Sequence, residues 1–208
     1  MTESVEAEPS VASVLFGERL DVARAFTANL VDQGEERGLI GPLELPRIWT
    51  RHILCAIVAP LLRPGVVGDV GSGAGLPGLV LAIARPDVEF VLIEPMERRV
   101  AWLNEQVAEL GLSNTTVLRD RAEDVRLSDR LDQVTARAVS AFRKLIPLTA
   151  PLLRDGGELV LMKGAGAAAE VDAATKELRK FSVHDVEVLT LGEGVLDDVT
   201  RVIRATVR

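Results

Sequence analysis

Tyrosine is absent from this 208-residue chain, cysteine occurs once and histidine twice. With Cys55 alone, no internal disulfide and no multi-cysteine zinc site can form, a pattern suited to a reducing cytoplasm. Long apolar runs are missing too. "ILCAIVAPLL" (53–62) and "GLPGLVLAIA" (75–84) are the longest, and both are too short to cross a bilayer. The opening "MTESVEAEPS" lacks the basic start and apolar core of a signal peptide, so a soluble cytoplasmic protein is expected. An excess of positive charge is also lacking. The formal net charge of −7 argues against a surface that grips nucleic acid all round, but it leaves room for a local basic face.

What the chain does contain is ordinary for a globular domain. It is 48% hydrophobic and 26% charged, enough apolar material at this length to bury one core. Residues 1–12 are expected to be disordered and 13–208 to form a single domain, in which 13–62 is a helical extension and 63–208 an α/β core. Phe16, Leu20, Ala23, Thr27 and Leu30 recur at helical spacing, predicting a helix over about 13–33. "RGLIGP" (37–42) breaks it. A second helix is expected from about Leu45 to Ala59, with Pro46 near its first turn, where a missing N–H costs little.

After "RPG" (63–65) the pattern changes to short strand, glycine or acid, then helix. Strands are predicted at about 66–70, 88–94, 114–119, 131–139, 156–164, 182–190 and 200–207, and helices at about 76–85, 96–111, 140–154 and 167–179. Such alternation builds a mostly parallel seven-stranded sheet with helices on both faces. The last two strands, joined through "GEGVLDD", can pair as an antiparallel hairpin at its edge.

"GDVGSGAGLPG" (68–78) holds two overlapping glycine patterns. Read from Gly71 it is G-x-G-x-G, a loop for S-adenosylmethionine; read from Gly73 it is G-x-G-x-x-G, a pyrophosphate cradle. Ligands in an open α/β sheet sit at the C-terminal strand ends, so the loop must begin where the strand stops. The strand stops at Val70 and Gly71 follows at once, whereas Gly73 comes two residues late. Asp69 favours the same register, since a dinucleotide fingerprint expects an apolar residue there. It can orient the loop and accept from a ligand ammonium. Glu94, at the next strand end, can accept both ribose hydroxyls, and Ala122–Glu123 of "RAED" (121–124) lie where an adenine would. Together these predict a Rossmann-like, class I S-adenosylmethionine-dependent methyltransferase fold. Asp69, Gly71, Ser72, Gly73, Ala74, Gly75, Leu76, Glu94, Ala122 and Glu123 are assigned to the cofactor, Gly78 to helix–sheet contact, and no residue to a metal.

The longer stretch "GDVGSGAGLPGLVLAIARPDVEFVLIEPMERRVAWL" resembles the glucose-inhibited division protein B family (GidB, RsmG). The resemblance extends to "GLIGPLELPRIWTRH" (38–52), "RAED" (121–124), "ARAVSAFRKL" (136–145) and "LMKG" (161–164), and so covers about residues 13–165. It implies methylation of N7 of a guanosine in the 530 loop of small-subunit (16S) ribosomal RNA. The partner implied is 16S rRNA or the small subunit, with no obligate protein partner and no membrane. In one departure, "RHILCAIV" has Cys55–Ala56 where family members carry a polar pair after Arg-His.

N7 of guanine has an in-plane lone pair and no proton to lose, so attack on a sulfonium methyl needs no general base. Alignment and desolvation can supply up to about 7–11 kcal/mol. The missing residues agree. There is no tyrosine and no Asn/Asp-Pro-Pro-aromatic motif for an exocyclic amine, and Cys55 precedes the loop in a helix, out of place for a pyrimidine C5 nucleophile. "TARAV" instead puts Arg137 near the methyl. There it can donate to guanine O6, bind the cofactor carboxylate, or ion-pair with Asp69 or Glu123. Lys163 is the second catalytic candidate, set against an exposed strand-end lysine. His52 is either an RNA contact or a residue packed between Trp49 and Ile53. Arg51, His52, Arg143 and Lys144 are assigned to RNA, with Arg47, Arg98 and Arg99 on the same pocket border. Trp102 reads as core and His184 as structural. A methyltransferase for a small molecule or protein, a dinucleotide-dependent oxidoreductase and a non-catalytic binding module stay open. A pocket roofed by the N-terminal helices and lacking a basic rim would favour the first.

Overall fold

The computed structural model describes residues 4–196 and 198–208. Short apolar runs that stop at glycine or acid form one sheet in the order β3-β2-β1-β4-β5-β7-β6. Its strands are β1 (Val66–Val70), β2 (Glu89–Ile93), β3 (Thr115–Leu118), β4 (Leu131–Arg137), β5 (Leu153–Lys163), β6 (Val183–Leu191) and β7 (Thr200–Val207). β1 to β5 pair in parallel, while β7 runs antiparallel to both β5 and β6. This is the seven-stranded, mostly parallel α/β architecture expected, with the final hairpin at the edge.

Successive strand side chains leave opposite faces, so Val160 and Met162 join one core cluster and Leu159 and Leu161 the other. The first face is covered by α1 (Ala12–Phe16), α2 (Leu20–Gln33), the helical stretch Leu45–Leu61, α3 (Gly78–Ala84) and α4 (Glu97–Glu109). The second is covered by α5 (Phe142–Thr149), α6 (Ala167–Asp172) and α7 (Thr175–Lys180). Phe26, Phe90 and Phe142 are fully buried, each worth about 1.5–3 kcal/mol of transfer free energy. Trp102 is core, as read.

The N-terminal third differs from simple helical periodicity. The helix expected over 13–33 is broken at Gly17, whose φ of +50° ends α1 before α2 starts at Leu20. The stretch Leu45–Leu61 is helical but changes pitch twice. A 3₁₀ turn (Leu45–Arg47) leads into a π turn (Ile48–His52), which leads into a 3₁₀ run (Ile53–Leu61). Pro60 offers no N–H and its ring crowds the carbonyl four residues back, so the ordinary α ladder cannot run through its end. Residues 4–11, where disorder is expected, lie outside regular structure but are tied down. The Glu6 carboxylate accepts from the Trp49 and Thr50 amides at 2.8 and 3.1 Å, and Glu8 accepts from Arg24. Residues 1–3, also in that expectation, are outside the described residues. No helix among the described residues is long and apolar enough to cross a membrane.

Candidate active site

Strand order reverses between β1 and β4, which opens a crevice at their C-terminal ends. The loop after β1 forms one side of it. Gly71, Gly73 and Gly75 have φ of +71°, +57° and +93°, conformations that side chains disfavour, so the backbone uses the register that starts at Gly71. Gly78 begins α3, where a Cβ would collide with Leu92 and Asp69; its role is close packing. The Gly71 and Ser72 amides bond to the Ile93 carbonyl at 2.9 and 3.3 Å. Trp102 Nε1 donates to the Ala74 carbonyl at 3.0 Å, so β2 and α4 clamp the loop from both ends.

Two acids underlie it. Asp69 is 0% exposed and accepts from the Gly78 amide at 3.2 Å and the Thr135 hydroxyl at 3.0 Å. Burial pushes its carboxyl up to about 6, against the pull of Ser72, Thr135, the Gly78 amide and the Arg137 charge. Asp69 therefore fits the first of its two expected roles, orienting the loop. In this structure each of its oxygens accepts from a protein donor, Oδ1 from Thr135 and Oδ2 from Gly78. Ser72 is buried as well, its hydroxyl donating to the Asp69 carbonyl at 2.9 Å. Glu94, 2% exposed, accepts from the Gly73 and Met96 amides, each at 2.9 Å. Beyond β3, Ala122 and Glu123 form a turn whose following amides, Asp124 and Val125, bond to the Arg121 carbonyl.

On the far side of the crevice lies a cavity of about 850 Å³ over the ends of β4 and β5 and the start of β7. Val139 is its partition from the loop, since a Cβ on Gly71 would lie 2.9 Å from Val139 Cγ2. Arg47, Thr50, Arg51, His52 and Cys55 reach it from the N-terminal stretch. Cys55 is buried, and burial pushes its thiol up to about 11. Among the described residues, five cations line the cavity (Arg47, Arg51, Arg137, Lys163 and Arg201), with Glu170 and Asp198 as the acids.

The strand-end cations are fixed in ways the sequence did not announce. Arg137 pairs with neither Asp69 nor Glu123. It donates to the Arg51 carbonyl at 2.8 Å and meets His52 Nδ1 at 2.7 Å. His52 Nε2 in turn meets Glu44 at 2.6 Å, and Arg51 Nε pairs with the same Glu44 oxygen at 2.9 Å. Burial, and then the Arg137 charge, lower the imidazole to about 4. A neutral ring accepting from Arg137 at Nδ1 and donating to Glu44 at Nε2 satisfies all three groups. Lys163 is no exposed strand-end lysine: its side chain is 6% exposed, bonded to the Ser140 carbonyl at 2.7 Å and to Glu170 at 2.9 Å.

The single basic border divides into separate places. Arg47 and Arg51 line the cavity. Arg143 and Lys144 stand exposed on the first turn of α5, outside that lining. Arg98 lies beside Gly38, and Arg99 sits 3.9 Å from Glu94 on the loop side. Among the lining side chains, Thr50, Glu170, Asp198 and Arg201 were unforeseen. None carried a local signal; Arg201 is set opposite Lys163 only by the docking of the hairpin on β5.

The fold is shared with a solved SAM-dependent O-methyltransferase from Thermotoga maritima, with a TM-score of 0.58 at 16% identity over 87% of this chain and 70% of that one. Fold and relatives together define a Rossmann-like, S-adenosylmethionine-dependent methyltransferase. The family model GidB, described as rRNA small subunit methyltransferase G, matches residues 19–199. Proteins named ribosomal RNA small subunit methyltransferase G are 78% identical in Leifsonia xyli, over 100% of both chains, and 69% identical in Clavibacter michiganensis, over 98% of this chain and 97% of that one. The chain belongs to the GidB family.

Proposed function

We propose that this chain transfers a methyl group from S-adenosylmethionine to N7 of a guanosine in the 530 loop of 16S rRNA, in the cytoplasm, acting on the free RNA or the small subunit. The observation that carries the RNA part is the cavity beside the loop, where five cations gather in a chain of net charge −7. It is roofed by the N-terminal stretch and it has a basic rim, which disfavours an uncharged small acceptor. In this reading residues 63–208 are the catalytic core and 13–62 the roof.

The residues on the loop side suit the cofactor. A Cβ on Gly73 would meet nothing nearer than the Gly71 carbonyl at 3.8 Å, so this face of the loop is open to a ligand. Buried Glu94 presents a carboxylate to the same spot. Glu94 would hold the ribose hydroxyls, Gly71 to Leu76 the methionine part, and Ala122 and Glu123 the adenine, with Asp69 and Ser72 keeping the loop in shape. When bound, the cofactor supplies an electrophilic methyl on a sulfonium. The protein's task is then alignment and exclusion of water. Arg137 has five N–H donors, of which two are used within the protein, leaving donors for guanine O6. Lys163 follows Met162, the partner of Arg137 on the neighbouring strand. Arg51 and Arg201 of the cavity lining meet phosphates, with Arg143 and Lys144 as a second, outlying contact. A splayed-out loop nucleotide could reach the cavity in the manner of single-stranded RNA recognition.

The test is transfer of labelled methyl to small-subunit RNA from cells that lack the protein, followed by mapping of the modified base. Label at one guanine N7 is expected. Label at an adenine, or nowhere in RNA, overturns the reading.

A further inference from the structure

We propose that Glu170 selects the acceptor base, accepting from the N1–H and N2–H₂ edge of guanine through the carboxylate oxygen that the described residues leave unused. The inference rests on the guanine-N7 reading above and adds the residue that would tell guanine from adenine.

Glu170 sits on α6 and lines the cavity. Its Oε2 is committed, bonded to the Phe142 amide at 2.6 Å and to Lys163 Nζ at 2.9 Å. Among the described residues no hydrogen bond reaches Oε1, and the side chain remains 30% exposed. Burial works to raise this acid, but the bonds from Lys163 and Phe142 outweigh it and hold the carboxyl below its ordinary range. The cavity wall therefore offers a fixed, ionised acceptor with free lone pairs.

The order of strand ends decides which edge of the base it would meet. From β1 through β4 to β5 is two strand spacings, roughly 10 Å. The glycine loop leaves the β1 end, Arg137 ends β4, and Lys163 ends β5 with Glu170 bonded to it. For N7 to face the loop side, O6 lies toward the middle strand and the pairing edge points at Lys163 and Glu170. Guanine carries two adjacent donors on that edge. Adenine presents a lone pair at N1 instead, which a carboxylate repels. Donors at the middle strand and an acceptor at the far wall match guanine and mismatch adenine.

The competing account is that Glu170 merely clamps Lys163 and the start of α5. Glu170→Gln separates the two. The Phe142 amide and Lys163 require an oxygen at the Oε2 position, so the new NH₂ occupies the Oε1 position and sets a donor against donors. Single-turnover methyl transfer should be measured on unmethylated small-subunit particles assembled on RNA with guanosine, or inosine, at the modified position. Inosine keeps N7, O6 and N1–H and lacks only the N2 amino group. The native enzyme should favour guanosine by roughly tenfold or more, and E170Q should reduce that ratio to within about twofold. E170A, should it fold less well, gives the same readout, because a ratio does not depend on the folded fraction. Equal losses on both substrates with the ratio intact would make Glu170 a clamp and overturn the proposal, as would a native enzyme indifferent to inosine. No transfer to guanosine particles at all would bring down the guanine-N7 reading itself, and this assignment with it.

Discussion

Asp69 carries a conflict between shape and solvation. It holds Gly78 and Thr135 from a site with no exposure, and burial lifts its carboxyl from 3.8 to about 6. A raised acid binds its proton more tightly folded than unfolded, so its ionisation costs stability as pH rises from about 4 to 6 and the cost is complete above that. Asp69→Asn removes this dependence. Lowering the pH from 7 to 4 should let the native protein gain on the variant by up to about 3 kcal/mol, read from denaturant melts at each pH. A constant difference would contradict it. Gly73 supplies a second test at this scale. Gly73→Asp sets a carboxylate against Glu94, and two such charges about 4 Å apart near a surface repel by about 4 kcal/mol. Cofactor affinity, followed by calorimetry, should fall at least about a hundredfold while the sheet's circular dichroism is unchanged. These residues were legible because each sits at a strand end, where an apolar run meets an acid or a glycine. Glu44 was not, since nothing in the sequence pairs it with Arg51 and with a histidine eight residues on that in turn meets Arg137 on β4.

At the scale of elements, the roof and the sheet meet through His52. Its imidazole is lowered from 6.5 to about 4, so the unfolded chain takes up the proton first. The stability it contributes is full above about 6.5 and is lost progressively down to about 4. His52→Leu should lose this segment of the pH profile, at most about 3 kcal/mol. It should also slow methyl transfer about tenfold, because Arg137 forfeits an acceptor. His52→Asn, whose Oδ1 can stand in for Nδ1, should restore most of the rate; no difference between the two variants would show that Arg137 needs no such partner. The strands of the core were readable to within about two residues, with β1 at 66–70 and β7 at 200–207 as predicted, except that β5 begins at Leu153, ahead of its expected start at 156. Their period of two and short length leave little freedom. The stretch 45–61 was readable as helical but not in pitch, since periodicity presumes 3.6 residues per turn and cannot register Pro60 acting on its neighbours.

For the molecule as a whole, charge placement matters more than charge total. An acidic protein can bind RNA if its cations converge, and four of the cations that line the cavity (Arg47, Arg51, Arg137 and Lys163) were already candidates on sequence grounds. Arg201 joins them only through the hairpin's docking on β5, which no local pattern encodes. Reversing Arg51 and Arg201 together should weaken RNA binding at least tenfold and reduce the slope of log affinity against log salt by about 2, one per lost phosphate contact. The same reversal of Arg143 and Lys144, outside the cavity, should change the slope but leave single-turnover transfer from saturated complexes near native. Equal effects of both pairs on transfer would erase the distinction between cavity and outlying surface.

The π turn at Ile48–His52 has a consequence for chain length. Such a turn absorbs one residue more than an α turn would, so Glu44 and Arg47 keep their phase against the 3₁₀ run that follows. Forcing the same residues into α pitch without removing one would swing the preceding part of the roof about 100° around the axis, taking Arg47 from the cavity and Glu44 from His52. Removing one residue as the turn closes to α pitch would instead leave that phase intact. A comparison of relatives that counts residues between Glu44 and Arg51 would therefore say more about the pitch of this roof than one that scores their identities.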